Sequence, residues 1–449
     1  MYYISTRGAG KIRVTPSRAV VDGLAPDGGL YVPEQFPALP LDEFVGLPCE
    51  KISLNVLKRY FTDFTAGELE GYIRAAYADS LPVKLSENGG YLELFHGNTG
   101  SFKDMALQLF PHLMTAALRK NNCAKTALIL TATSGDTGSA VLSGVADVPG
   151  IRAVVFFPHG GVSSIQQLQM TAQEGGNLHV FALRGSFDDA QQAVKQVFAD
   201  ERFKARFPDC LFTSANSINI ARLLPQIAHF LYGYSELVSS GRINAGDKIN
   251  FAVPTGNFGN ILSAYYAKKM GLPVNKLICA NNINRVLDVF FKSGAGEYNP
   301  AGHKLELTVS PAIDILAPSN FERYLYEKLP MGSRRRMMDA VKADFASGYA
   351  TDEETMETIK SVYASGYLID PHTAVAKFVY EKYRRQTGDE TPTLITATAS
   401  PYKFPETTRQ ALGSVLTDPP PKIAALYGKP VLHDAVTDNV RQAIEAVLK

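Results

Sequence analysis

The chain has 449 residues, more than one hydrophobic core usually serves, so two or three domains are expected. It is 45% hydrophobic and 20% charged, with 36 Gly and 26 Pro, a composition that excludes a disordered or fibrous protein. Lys plus Arg number 45 against 44 for Asp plus Glu, so a net charge of +1 offers no field for nucleic acid or an anionic membrane, and any anion site must be local.

The four cysteines, Cys49, Cys123, Cys210 and Cys279, form no CxxC pair, which argues against a zinc site or a redox dithiol and fits a reducing compartment. No metal is expected. The segment Met1–Gly8 lacks the apolar core of a signal peptide, and no later run reaches membrane-spanning length, so a cytoplasmic protein with no membrane partner is expected.

The first 90 residues open loop-rich, with Ala25-Pro26-Asp27-Gly28-Gly29-Leu30 followed by Pro33, Pro37 and Pro40, and become helical from about Ser53 to Ala78. They read as a separate N-terminal domain. From about residue 91, short apolar runs alternate with helical patterns, the rhythm of βα units around a mostly parallel sheet. Strands are predicted at Tyr91–Phe95, Thr126–Ala132, Ile151–Phe157, Leu178–Leu183, Ile249–Pro254, Leu277–Asn281 and Thr393–Ala397, continuous apolar runs suited to a sheet covered on both faces. Phe102, Met105, Ala106, Leu109, Phe110, Leu113 and Met114 follow helical spacing and predict one helix after Ser101. The stretch from about Asn320 to Gly366 is rich in Glu, Lys, Arg and Met and predicts exposed helices, with Arg334-Arg335-Arg336 a solvated helix end.

Chemistry concentrates at the joints between strands and helices. In Phe95–Asp104, Lys103 falls in the first turn of a helix, where the macrodipole disfavours its charge; a lysine so placed is a surface residue or a nucleophilic amine. Thr131–Ala140 sets five hydroxyl residues and two glycines at a helix N-terminus, which makes either a capping turn or a pocket for a carboxylate or phosphate. Asp136 would repel that anion unless it faces away. Pro254–Asn260 carries a GxxG turn whose amides can approach a phosphate, though it is neither a Walker loop nor a dinucleotide fingerprint. Thr213–Arg222 runs polar side chains into an apolar helix and ends on a guanidinium suited to phosphate or to the surface. Thr396–Phe404 puts small hydroxyl residues beyond a buried strand, the edge of a parallel sheet at which ligands bind.

Seven ordered segments resemble the bacterial and fungal threonine synthases: Tyr3–Gly8, Ala25–Leu30, the Lys103 segment, Ala132–Gly138, Ser214–Asn219, Gly256–Gly259 and Thr398–Pro401. The resemblance implies an α/β protein of the tryptophan-synthase-β-like fold, with two open, mostly parallel sheets flanked by helices. It implies an N-terminal domain (1–90), a large cofactor domain (91–128 and 222–449) and a small mobile domain (129–221). It further implies a pyridoxal 5'-phosphate lyase acting on O-phospho-L-homoserine as a monomer or homodimer. Lys103 would carry the cofactor as a Schiff base and act as catalytic base, Gly256, Asn257, Phe258, Gly259 and Asn260 would hold the cofactor phosphate, and Thr398 would face the pyridine nitrogen. Ser134, Gly135, Asp136 and Thr137 would take the substrate carboxylate, Ser214, Asn216, Asn219 and Arg222 its phosphate, and Thr99 would also bind the substrate. Two departures stand out: Thr255 where many relatives have serine, and Ser400 where histidine is frequent. The nearest rival is a phospho-lyase of the same family that releases 2-oxobutyrate; a serine or threonine dehydratase would have no use for the Asn216–Arg222 segment, and a dead binding protein would have lost Lys103.

Overall fold

The computed structural model describes residues 1–449 apart from 9, 294–297, 329, 331–332 and 415. The strands in chain order are β1 (Tyr3–Ser5), β2 (Arg13–Val14), β3 (Tyr31–Pro33), β4 (Lys84–Leu85), β5 (Tyr91–Glu93), β6 (Thr126–Ala132), β7 (Ile151–Pro158), β8 (Leu178–Leu183), β9 (Cys210–Thr213), β10 (Ile249–Pro254), β11 (Val274–Asn281), β12 (Phe345–Tyr349), β13 (Thr393–Ala397) and β14 (Val436–Thr437). Among the described residues they form three sheets. One has six strands in the order β12-β11-β10-β13-β5-β4, parallel except for β4; another has five parallel strands in the order β14-β8-β7-β6-β9; a small antiparallel sheet runs β2-β1-β3.

All seven predicted strands are present, because apolar residues on both faces of each run have helices to pack against. The period-2 alternation is visible in the core. In β10, Phe251 and Val253 join one apolar cluster, while Ala252 faces another built on the helix Pro371–Thr387. In β6, Ala127 and Ile129 join the first cluster, while Leu128 and Leu130 face the helices Phe187–Ala199 and Val440–Leu448.

Four expectations change. The first 90 residues share one contiguous core with both large sheets, Tyr3, Phe44 and Ile52 joining the same cluster as Ile129 and Phe251, so they do not form a separate core. The single helix expected after Ser101 is two, Asp104–Leu107 and Phe110–Lys120, because Pro111 lacks an N–H and fits only a helical first turn. The stretch 320–366 contains β12 and the buried Arg323 as well as exposed helix, although Arg334, Arg335 and Arg336 are exposed as expected. The boundary drawn at 128/129 cuts β6, and β14 returns from the C-terminal region to pair with β8, so residues 222–449 contribute to both sheets.

Between the helices Ile227–Ser239 and Gly259–Met270, His229 is fully buried, with Nδ1 unpartnered and Nε2 3.2 Å from Asn260 Nδ2. Burial pushes its pKa down to about 3. The unfolded chain binds this proton below about pH 6.5 and the folded chain does not, so stability is full above that value and is lost as pH falls toward 3, at about 1.4 kcal/mol per pH unit. Urea unfolding at pH 7.0 and 5.5 should show a smaller acid loss in His229→Gln than in the wild type; equal losses would rule out His229 as the source.

Candidate active site

Five strands end at one cleft, each followed by a polar turn. The turn after β5 carries Phe102 and Lys103, that after β6 carries Thr133, Ser134, Asp136 and Thr137, and that after β9 carries Asn216, Ser217 and Arg222. The turn after β10 carries Thr255 to Asn260, and that after β13 carries Thr398. Such convergence at carboxyl ends is what parallel sheets provide for ligands.

Backbone pairing sets the position of Lys103. Phe102 N donates to Thr398 O at 2.9 Å, Ser400 N to Gly100 O at 2.9 Å, and Ser101 bridges Ala399, so the lysine turn is stitched to the Thr398 turn. Gly100 has φ 71°, a left-handed conformation that glycine adopts without strain. Beneath it the buried Asp104 carboxylate accepts from Thr99 N at 2.9 Å and Thr99 Oγ1 at 2.7 Å. Burial lowers the pKa of Lys103; Asp136 opposes that effect, while the cations Lys403 and Arg222 add to it.

Asp136 opens the helix Asp136–Val145 and is buried. Its Oδ2 lies 3.4 Å from Lys103 Nζ, and its Oδ1 accepts from Lys403 Nζ at 2.9 Å and Gln166 Nε2 at 2.9 Å. Although burial alone would raise its pKa, Lys403 and Lys103 hold the carboxyl well below the usual range. It therefore faces two lysine side chains instead of away from the cleft, and serves them as counter-ion while it borders the cleft with Ser134 and Thr137. Neighbouring Thr133 spends its hydroxyl accepting from Gly135 N at 3.0 Å and Gly138 N at 2.9 Å, and Ser134 and Thr137 border the cleft beside it.

The turn after β10 holds Phe258 at φ 62° as the residue before the helix Gly259–Met270. Gly256 sits against the loop at Ala312 and Ile313: a Cβ there would lie 2.9 Å from Ala312 O and 3.1 Å from Ile313 Cα. That loop is held by His372, whose Nε2 accepts from Ala312 N at 3.0 Å while Nδ1 donates to Asp370 Oδ1 at 2.7 Å. Arg222 is buried and donates through Nη1 to Ala215 O, while its Nε has no partner. Burial pushes its pKa down to about 9, which leaves it a cation at neutral pH.

Other predicted site residues fall away from the cleft. Thr99 is consumed by Asp104, Gly135 lies against the Gln166 side chain, and Ser214 Oγ accepts from Asn216 N at 3.1 Å. Asn219 is fully buried, its Oδ1 accepting from Ala221 N at 3.0 Å and its Nδ2 donating to Val20 O at 3.0 Å; it is a helix cap. Sequence reasoning missed Lys403, His372, Gln226 and Ala312. Lys403 was near enough to read, being five residues beyond Thr398.

Among the described residues, three cleft-lining polar atoms are buried without partners: Asn216 Oδ1, Arg222 Nε and Asn260 Oδ1. Buried polar groups are nearly always paired, so these ask for a ligand that both donates and accepts, with anionic oxygen near Arg222. Pyridoxal phosphate fits the Lys103 amine and the Gly256–Asn260 turn at its helix N-terminus, and Arg222 Nε is left for a second anion.

Comparison with known proteins agrees with that fit. The family "Pyridoxal-phosphate dependent enzyme" matches residues 91–399, "Threonine synthase N terminus" residues 2–77, and "Threonine synthase, C-terminal" residues 373–448. Threonine synthase-like 1 of Homo sapiens is 38% identical over 95% of this chain, which spans 62% of that relative's length. Threonine synthase of Schizosaccharomyces pombe is 36% identical, with 92% of this chain and 89% of the relative covered. The crystal structure of pyridoxal-phosphate-bound threonine synthase from Brucella melitensis superposes with a TM-score of 0.87 at 34% identity, covering 100% of this chain and 99% of that one.

Gly256→Ala should displace the turn, because both atoms its Cβ would meet are backbone. The expected cost is about 1–3 kcal/mol, read as a lower thermal midpoint with weaker cofactor retention. A midpoint equal to the wild type would show that the Ala312 loop yields freely.

Proposed function

The chain belongs to the threonine synthase family of pyridoxal-phosphate-dependent enzymes, and from that premise we propose that it converts O-phospho-L-homoserine and water into L-threonine and phosphate. One observation carries the reading: a partly buried amine, a glycine turn at a helix N-terminus and a buried guanidinium with a free N–H border a single cleft.

Lys103 would be the attachment point of the cofactor, residues Gly256 to Asn260 the cradle of its phosphate, and Thr398 the neighbour of its pyridine nitrogen. Pyridoxal phosphate, when bound, supplies an electron-withdrawing ring that stabilises negative charge on the substrate carbons. A hydroxyl at Thr398, where a carboxylate would protonate the ring nitrogen, leaves that electron demand moderate and puts more weight on positioning. Ser134 and Thr137, at the start of their helix, bind the substrate carboxylate through hydroxyl and amide donors. Arg222, with Asn216 beside it, binds the substrate phosphate and steadies the charge that develops as it leaves. Lys103 Nζ, whose hold on its proton burial weakens, removes the proton at Cα and carries protons in the early steps.

Arg222→Ala should raise KM for the phosphorylated substrate about ten- to a hundredfold, the equivalent of about 1.5–3 kcal/mol for a charged hydrogen bond, with cofactor content unchanged. An unchanged KM would make Arg222 a structural residue only. Product identity is tested by incubating the holoenzyme with O-phospho-L-homoserine in deuterated water and recording proton NMR spectra. Threonine with deuterium at Cα and Cγ is expected, since Cα loses a proton and regains one from solvent, and Cγ takes one from solvent in place of the departed phosphate. Predominant 2-oxobutyrate would leave the family standing and overturn the synthase reading in favour of the lyase.

A further inference from the structure

Lys403 is fully buried, in the short turn Pro401–Lys403 that follows Thr398. A lysine sealed from water persists only where its charge is matched and its N–H groups are accepted. Its Nζ donates to Asp136 Oδ1 at 2.9 Å and to Thr99 O at 2.8 Å. Its own carbonyl accepts from Ser163 Oγ at 2.6 Å, which fixes the backbone from which it reaches. No role in substrate or cofactor contact falls to it, because it does not border the cleft.

One carboxylate charge cannot neutralise two ammonium groups. Lys403 makes the shorter contact, at 2.9 Å against 3.4 Å for Lys103, and Gln166 adds a second donor to the same oxygen that Lys403 uses. We propose that Lys403 is a positioning residue: by holding Asp136 as its own counter-ion it leaves Lys103 Nζ with a shared partner, and so keeps that nitrogen poor in protons. Among the described residues, the charged groups acting on Lys103 are Asp136, Lys403 and Arg222, and the second cation works in the same direction as Lys403. Asp104 faces Lys403 and Arg222 from below the lysine turn, and His372 borders the same cleft with both ring nitrogens engaged. The inference rests on Lys103 being the cofactor-bearing lysine.

The test is a pH titration of the visible absorbance band of the holoenzyme, which changes as the Lys103 nitrogen joined to the cofactor loses its proton. Lys403→Met should move the midpoint up by about one pH unit or more, because the whole of the Asp136 charge passes to Lys103. Lys403→Arg should restore it. Asp136→Asn should move the midpoint down, since Lys403 is then uncompensated, and Lys403→Met should shift the midpoint less in the Asp136→Asn background than in the wild type. If Lys403→Met does not fold, Lys403→Gln carries the test, because its amide can still donate to Asp136 while its charge is gone, and its midpoint should also rise. A midpoint equal to the wild type in whichever of the two variants folds overturns the proposal. Borohydride reduction of the wild type followed by peptide mapping keeps the two readings apart: a label on another lysine removes the premise, whereas a label on Lys103 with unmoved midpoints removes only the role of Lys403.

Discussion

Asp136 enters the cleft from the five-stranded sheet and Lys403 from the six-stranded sheet, and their ion pair lies where water does not reach. Inside a protein such a pair contributes little net stability over an apolar replacement, but removing one member strands a charge at a cost of about 3–5 kcal/mol. The pair therefore acts as a constraint more than as glue. It fixes the distance between the two sheets at the point where Lys103, Thr398 and the hydroxyl turn must meet. Gln166 and Ser163, both on the side of the five-stranded sheet, add hydrogen bonds to the same junction, at Asp136 Oδ1 and Lys403 O.

Around that junction, each element of the cleft is supplied by the same local grammar. A buried parallel strand ends, a turn of small polar residues follows, and a helix begins with its free amides toward the opening. The grammar explains why so few charged side chains are needed. The Gly256–Asn260 turn contributes no side-chain charge, and the buried Arg222 supplies the cationic fork for a second anion. It also explains the loop at Ala312, which His372 holds against Gly256 so closely that the glycine has no room for a side chain.

The joints were legible in the sequence because each is a local pattern: apolar run, polar turn, helix. Lys103, Ser134, Thr137, Asn216, Arg222, the Gly256–Asn260 turn and Thr398 all border the cleft. What did not read out depends on contacts distant along the chain. Asn219 belongs to a polar turn like its neighbours, yet its side chain caps its own helix and reaches Val20, a partner no local pattern could name. Asp136 could be read only as a residue that repels an anion unless it faces away, since the two lysines that capture it come from turns 33 residues before it and more than 260 after it. The shared core was hidden for a similar reason. Composition marks the first 90 residues as different, but composition does not show that Phe44 and Ile52 lie in the same cluster as Phe251.

The strand β14 lies 253 residues beyond its neighbour β8 in the chain, and the helix Val440–Leu448 behind it covers Leu128 and Phe156. Vectorial synthesis on a ribosome therefore leaves the five-stranded sheet with an open edge and an uncapped apolar face until nearly the whole polypeptide has emerged. The lobe that carries Asp136 can reach its final packing only after the lobe that carries Lys403 has been made, so the two halves of the buried ion pair mature together.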